Sequence, residues 1–476
     1  MKKEIQSLCI LLSILIHCIC FSQNIDSQFY FNYQGQQISL EQALSRYIQF
    51  ESVSGKEMEA GEYLKGLCEQ NGLFITQMGN KDGNYNFTAS VQPLSEKTPN
   101  IVFLNHIDVV PAGDNSQWIK PAFSGLITDD EIWGRGAFDN KGAAIMQLAS
   151  IIETSRSHIN KIHNYNITLL AVSCEETQCE GGVKYVVENY FDLLNPSVII
   201  GEGPPSLNNV LHSDPEANIY GISVAHKRAL WLKLETTIKT SGHGSITPLS
   251  YSNKELISAL APLIEGKQKV IFNDLNIELL KDLGRLEKGL WAFVFKHPRL
   301  FKCLITSQLR KQPKLFTLFS NTITLTSIDS NNEIINSIPN TTTALLDCRL
   351  LPEESRDDFL ANVRKRIDND KVKITVIYEM PKLKASTEKS IFYIYLNSAI
   401  ANTYPQGHVL KIFSPNFNDT GIFRAKGVPS FCTIPVKMDL KYLRTVHSYN
   451  ERIPRSILNQ GKNVYVEFLK NCIGHK

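Results

Sequence analysis

Ile167-Thr168-Leu169-Leu170-Ala171-Val172-Ser173-Cys174-Glu175-Glu176 is the stretch on which the fold turns. Its first six residues form a short, nearly unbroken apolar run, which reads as a buried strand. It ends in two adjacent carboxylates. Working outward, Gly142–Thr154 reads as a helix and Ile101–Leu104 as a strand before it. Gly182–Tyr190 reads as a helix and Ser197–Ile200 as a strand after it. Further upstream, 40–49 and 57–71 carry helical periodicity and lead into strand-like sequence near 73–91. This alternation predicts an α/β sheet with helices on both faces. In such sheets chemistry gathers where strands end and loops begin.

A second pattern begins near residue 226. Leu230–Lys239 reads as a strand, Asn253–Leu263 as a helix, and Thr322–Asp329 and Thr342–Leu350 as two strands. Glu354–Ile367 reads as a helix and Val372–Tyr378 as a strand. That is β-α-β-β-α-β, a two-layer sandwich inserted into the first domain. Residues 265–320 form an extra apolar, basic and aromatic segment within the insert. The α/β pattern resumes with a helix near 389–402 and a strand around Ser430–Pro435. The expected division is a signal peptide over 1–22, a catalytic domain in two parts (23–225 and 381–476), and an inserted lid over 226–380.

The 476 residues include 50 Lys and Arg against 47 Asp and Glu, a net charge of +3. So small a charge over this length carries no polyanion-binding signature, and nucleic acid is not an expected partner. Lys2 and Lys3 precede the apolar run Ile10–Ile16, and Cys20 to Ser22 suit cleavage before Gln23. These are the parts of a secretory signal, so the mature chain is expected to be secreted or periplasmic. Three of the ten cysteines fall in that segment. The other seven are scattered and read neither as a disulfide framework nor as a thiolate metal site.

The chemistry-bearing residues lie at the predicted strand ends. His106 and Asp108, two apart, project to one face. Asp139 sits in Gly134-Arg135-Gly136-Ala137-Phe138-Asp139-Asn140-Lys141-Gly142, where glycines permit close backbone approach. Glu175 and Glu176 repel each other unless a cation or proton lies between them. One carboxylate of such a pair can bind metal while its neighbour serves as general base. Glu202 follows the strand 197–200, and His447 lies in Val446-His447-Ser448-Tyr449-Asn450-Glu451. Alone, each fragment has an ordinary structural reading.

Together they read H-x-D, G-R-G-x-x-D-x-K-G, E-E, G-E-G and H-x-x-N-E. This order resembles the co-catalytic zinc metallopeptidases that include carboxypeptidase S, aminoacylase, glutamate carboxypeptidase and succinyl-diaminopimelate desuccinylase. The carboxypeptidase S branch is nearest. The resemblance implies a mixed-sheet, zinc-exopeptidase-like catalytic domain with a lid that often mediates dimerisation. It implies two zinc ions, with Mn or Co as substitutes. His106 and Glu202 would hold one ion, Glu176 and His447 the other, and Asp139 would bridge them. Glu175 would be the general base, Asp108 would orient His106, and Glu451 would support His447. A cis peptide after Asp139 is also implied.

In the lid, Ser241-Gly242-His243-Gly244-Ser245 resembles the family's G-H-S-S segment, whose histidine reaches a neighbouring active site in dimers. Asn336, Arg349 and Asp419 resemble substrate-binding positions. Cys174 and His226-Lys227-Arg228 depart from the family's usual residues. The activity implied is cleavage of an amide bond beside a free carboxylate in a small peptide, as by a carboxypeptidase or dipeptidase. Hydrolysis of N-acyl amino acids is the alternative, and a non-catalytic peptide-binding protein is a further one. In segment 265–320, Phe293, Phe295, Phe301, Phe316 and Phe319 suit either an acyl chain or self-packing helices. The basic residues there read as a solvated face.

Overall fold

The computed structural model describes residues 29–79, 84–158, 164–240 and 242–474. The signal segment expected over 1–22 lies outside them. An eight-stranded mixed sheet runs His408–Ser414, Ile219–His226, Ser430–Cys432, Pro196–Gly201, Asn100–His106, Asn166–Val172, Phe87–Ser90, Phe74–Gln77. Its centre is parallel, with His106 opposite Val172 and Phe103 opposite Ile200.

The central strands are buried on both faces, which explains their lack of alternation. Ile101 and Phe103 join one hydrophobic cluster, and Val102 and Leu104 join another. Helices Lys141–His158 and Ser456–Gly474 cover the first face. Helices Val183–Leu194 and Thr420–Ala425 cover the second. Burying each Leu, Ile or Phe of these strands contributes about 1.5–3 kcal/mol.

The lid is a four-stranded antiparallel sheet, ordered Thr322–Asp329, Thr341–Leu350, Arg228–Thr237, Val372–Glu379. Leu230, Leu232 and Leu234 pair in register with Cys348, Leu346 and Ala344. Their shared face packs on helices Ser252–Glu265 and Arg356–Ile367. The period-2 alternation of these strands marks a sheet with one covered face.

Segment 265–320 departs from expectation. Its helices Asp274–Leu286, Gly289–Lys296 and Lys302–Leu309 do not join the lid core. Leu279, Leu280, Leu283, Val294, Phe295, Ile305 and Phe319 cluster instead with Ile219 and Leu410. They cover the outer edge of the main sheet, where strand His408–Ser414 would otherwise present its apolar residues to water. A second correction concerns the cysteines: Cys174 and Cys179 form a disulfide. The turn that carries Glu175 and Glu176 brings their Cα atoms to 5.7 Å, within bonding reach of a disulfide.

Candidate metal centre and active site

The ends of strands Asn100–His106, Asn166–Val172 and Pro196–Gly201 stand side by side, and the next residues of each enter one cleft. His106 is buried, and its Nε2 lies 3.1 Å from Asp139 Oδ1 and 3.2 Å from Glu202 Oε2. His447 Nε2 lies 3.1 Å from Asp139 Oδ2 and 3.2 Å from Glu176 Oε1. Asp139 thus offers one oxygen to each histidine–glutamate pair. Ligand atoms of His106, Asp139 and Glu176, and of His106, Glu175 and Glu202, also lie within 4.8 Å of one another.

Local sequence explains how these side chains are held. Gly134 has φ +146° and lies against Ala122 O, where a Cβ would come within 2.9 Å. The Asp139–Asn140 peptide is cis. The carboxylate of Glu451 accepts backbone N–H groups from Gly136, Phe138 and Asp139 at 3.0, 3.0 and 3.3 Å, and the Arg135 guanidinium at 2.9 Å. Glu451 therefore holds the Asp139 loop rather than His447. A Cβ on Gly182 would meet Ser173 O at 2.2 Å, so the turn after the glutamate pair requires glycine.

Asp108 serves the glutamate pair more than the histidine. Its carboxylate accepts the N–H groups of Glu175 and Glu176 at 3.0 and 3.1 Å and the Ser54 hydroxyl at 2.6 Å. His106 Nδ1 lies 2.9 Å from the Asp108 backbone oxygen and 3.4 Å from its carboxylate. The main-chain carbonyl is thus the closer acceptor and sets the tautomer that frees Nε2. His447 has φ +57°, an uncommon conformation for a side chain with a Cβ. The residues that follow are tied down: Tyr449 packs on Trp118, and Asn450 Oδ1 accepts the Ile119 N–H at 2.6 Å.

The electrostatics fit cations. Glu175 is pushed well above the usual carboxylate range by burial, with Glu202 adding to it. Burial also raises Glu176, with Asp139 contributing repulsion. Burial raises Asp419 to about 8. His447 rises to about 10 through its hydrogen bonds to Asp139 and Glu176. Burial opposes the charge on His106, but Glu202, Asp108 and Asp139 outweigh it and raise its pKa. The cluster holds more negative charge than its imidazoles neutralise. Two imidazoles and three carboxylates are a donor set that suits zinc.

Of the other expected residues, His243, Asn336 and Arg349 make contacts outside the cluster, while Asp419 lies in the cleft. His243 is exposed on the lid, where its Nδ1 meets Ser245 Oγ at 2.7 Å. Asn336 is exposed and accepts the Gly244 N–H at 2.7 Å. Arg349 binds Asp347 through two nitrogens and lies over the Phe417 ring at 4.8 Å. That ring is two residues from Asp419, which is buried in the cleft. Several supporting residues were missed from the sequence. Asn140 donates to Glu202 Oε2 at 2.7 Å, and Asn418 to Glu202 O at 3.0 Å. Glu57 accepts the Cys174 N–H at 3.2 Å. Asn140 alone was findable, since it follows Asp139 in the glycine-rich run.

Residues 102–471 match the family described as Peptidase family M20/M25/M40. A probable carboxypeptidase S-like 2 of Dictyostelium discoideum is 26% identical, covering 82% of this chain and 74% of the relative. The N-fatty-acyl-amino acid synthase/hydrolase PM20D1 of Mus musculus is 24% identical, covering 96% and 91%. Among solved structures, the M20 family metallo-carboxypeptidase Sso-CP2 from Sulfolobus solfataricus superposes with a TM-score of 0.67 at 19% identity, covering 91% of this chain and 98% of that one. The chain belongs to peptidase family M20/M25/M40 and is a metallohydrolase acting on peptide or amide C–N bonds.

Proposed function

We propose that the protein is a dinuclear zinc hydrolase that cleaves an amide bond beside a free carboxylate in a small peptide, in the manner of a carboxypeptidase or dipeptidase. The observation that carries this is the division of Asp139 between two histidine–glutamate pairs. His106 and Glu202 would hold one ion and Glu176 and His447 the other. When bound, such ions supply Lewis acidity, which acidifies water and polarises a carbonyl.

The chain's own residues do the rest. Glu175, in the same cleft as His106 and Glu202, takes the proton of the attacking water and delivers it to the departing amine nitrogen. Asp108 fixes the backbone of Glu175 and Glu176 through two N–H bonds. Arg349, a planar two-pronged donor beside Phe417, suits a substrate carboxylate. Asp419 and Asn336 would line the pocket. His243 is exposed on the lid beside Ser245 and would serve the active site of a partner copy in a homodimer formed through the lid.

A second reading is N-acyl amino acid hydrolysis. The near full-length match to the mouse N-fatty-acyl-amino acid synthase/hydrolase favours it. We further propose export to the periplasm or the exterior. The N-terminal signal pattern supports this, and so does the Cys174–Cys179 bond, since disulfides persist in oxidising compartments.

Metal analysis, with a screen of dipeptides against N-acyl amino acids in the presence and absence of chelator, tests the reading. Two ions per chain and chelator-sensitive turnover are expected. Glu175→Ala should lose about 10²–10⁴-fold in kcat while keeping its metal. Metal-free purified protein that turns over normally, or full activity of Glu175→Ala, overturns it.

A further inference from the structure

Segment 265–320 contains a charge asymmetry that the hydrolytic chemistry does not use. Between Glu287 and Asp329 there are seven Lys and Arg and no Asp or Glu. The remaining 43 Lys and Arg face 47 Asp and Glu, so the rest of the chain is net −4 while this stretch is +7. The cationic residues Lys288, Lys296, Arg299, Lys302, Arg310 and Lys311 are all exposed.

Large apolar side chains stand among them. Leu290 is 70% exposed, Phe293 52%, Leu300 75% and Leu304 44%. They form one face. Leu290, Phe293 and His297 recur at three- and four-residue spacing along helix Gly289–Lys296 and its cap. Phe293 contacts the rings of His297 and Phe301, with centroids 4.8 and 5.5 Å away. Leu300 adjoins Phe301, and Leu304 lies one turn on, where the Ile305 N–H bonds Phe301 O. The opposite faces of the same helices are spoken for, since Val294, Phe295, Ile305 and Leu309 pack into the cluster at the sheet edge. Trp291 stacks on His212 at 5.0 Å and anchors the first helix. The apolar face is therefore presented outward by helices whose other side is packed on the main body.

We propose that this face is a docking surface for an anionic phospholipid bilayer. Exposed leucine and phenylalanine interspersed along these helices with exposed lysine and arginine match a layer of negative headgroups over hydrocarbon. The seat is peripheral, because no helix among the described residues is long and apolar enough to cross a membrane. A second copy of the chain fits poorly. Twofold symmetry would set this cationic face against itself, since an isologous contact uses the same patch twice. The rest of the molecule, net negative, would be repelled from the same bilayer, which orients the protein with this face down.

Co-sedimentation of the full mature chain with vesicles tests the proposal. Vesicles of phosphatidylcholine with phosphatidylglycerol should bind the protein, and vesicles of phosphatidylcholine alone should bind it at least about tenfold less. Rising salt should weaken binding. The pairs Phe293→Ser with Leu300→Ser, and Lys296→Glu with Lys302→Glu, should each reduce binding by about tenfold or more. Both should leave hydrolysis of a soluble dipeptide unchanged, which shows that the variants are folded. Equal binding to neutral and anionic vesicles, no binding to either, or variants that bind like the parent overturns it. So does a monomer–dimer equilibrium that is lost with the same substitutions, which would make the face a contact between copies. Binding to a DNA duplex without binding to vesicles would also overturn it.

Discussion

At the scale of single residues, the cleft depends on buried side chains behind the cluster. Glu451 is 1% exposed and receives Arg135 and three backbone N–H groups. Glu451→Ala leaves a buried guanidinium and these donors without an acceptor. A loss of about 3–5 kcal/mol in urea unfolding is expected, together with weaker metal binding as the Asp139 loop relaxes. A loss near zero would show that other groups take over these donors. The histidines give a pH prediction with a definite sign. In metal-free protein, His447 rises from 6.5 to about 10 and His106 also rises. A raised histidine contributes stability that is complete below the unfolded value near 6.5. That contribution fades as pH climbs through the folded value. A metal cation must displace these protons, so metal affinity should fall as pH drops, and uptake at neutral pH should release protons. Titration calorimetry in buffers of different ionisation heat measures the release, and identical heats in both buffers would contradict it.

At the scale of elements, the turn Cys174–Cys179 matters most. It carries Glu175 and Glu176, and three devices restrain it: the disulfide, the Asp108 carboxylate and the requirement for Gly182. Closing so short a loop restricts the unfolded chain by about 2 kcal/mol in the loop-entropy account. Cys174→Ser with Cys179→Ser should lower unfolding stability by roughly that amount. It should lower kcat more than it raises KM, because the base moves while the pocket stays. Parent enzyme treated with reductant should behave like the double variant, and indifference of the parent to reductant would contradict this. The lid was legible at this scale. Its alternating strands and amphipathic helices were read within two residues or so of Thr322–Asp329, Thr341–Leu350 and Arg356–Ile367. Each pattern reflects one covered face, a local property of sequence. The helices of segment 265–320 pack on one another, as expected of a self-packing reading, and also on Ile219 and Leu410 of the main sheet, a neighbour that periodicity does not specify because it reports that a face is buried and not against what.

At the scale of the whole molecule, the cleft gathers carboxylates that repel one another without cations. Removing metal should therefore lower the melting temperature as well as abolish turnover. At a thousandfold excess over Kd, a ligand that binds only the folded state adds about 4 kcal/mol. Calorimetry with chelator, then with zinc restored, should show loss and recovery of that increment. An unchanged transition would mean that the folded cluster does not bind the ion.

The sequence by itself determined the layer architecture, since apolar runs of strand and helix length can be buried in few ways. It also determined the inventory of the cleft: His106, Asp139, Glu175, Glu176, Glu202 and His447 stand where strands or glycine turns end. Only the tertiary structure decided how Asp139 divides its oxygens, that Glu451 holds the Asp139 loop, and that Asp108 anchors the glutamate backbone more than it orients His106. The reason is separation along the chain. Glu451 lies more than three hundred residues from the amides it accepts, and spacing patterns carry information only between residues that a single helix, strand or turn already places side by side.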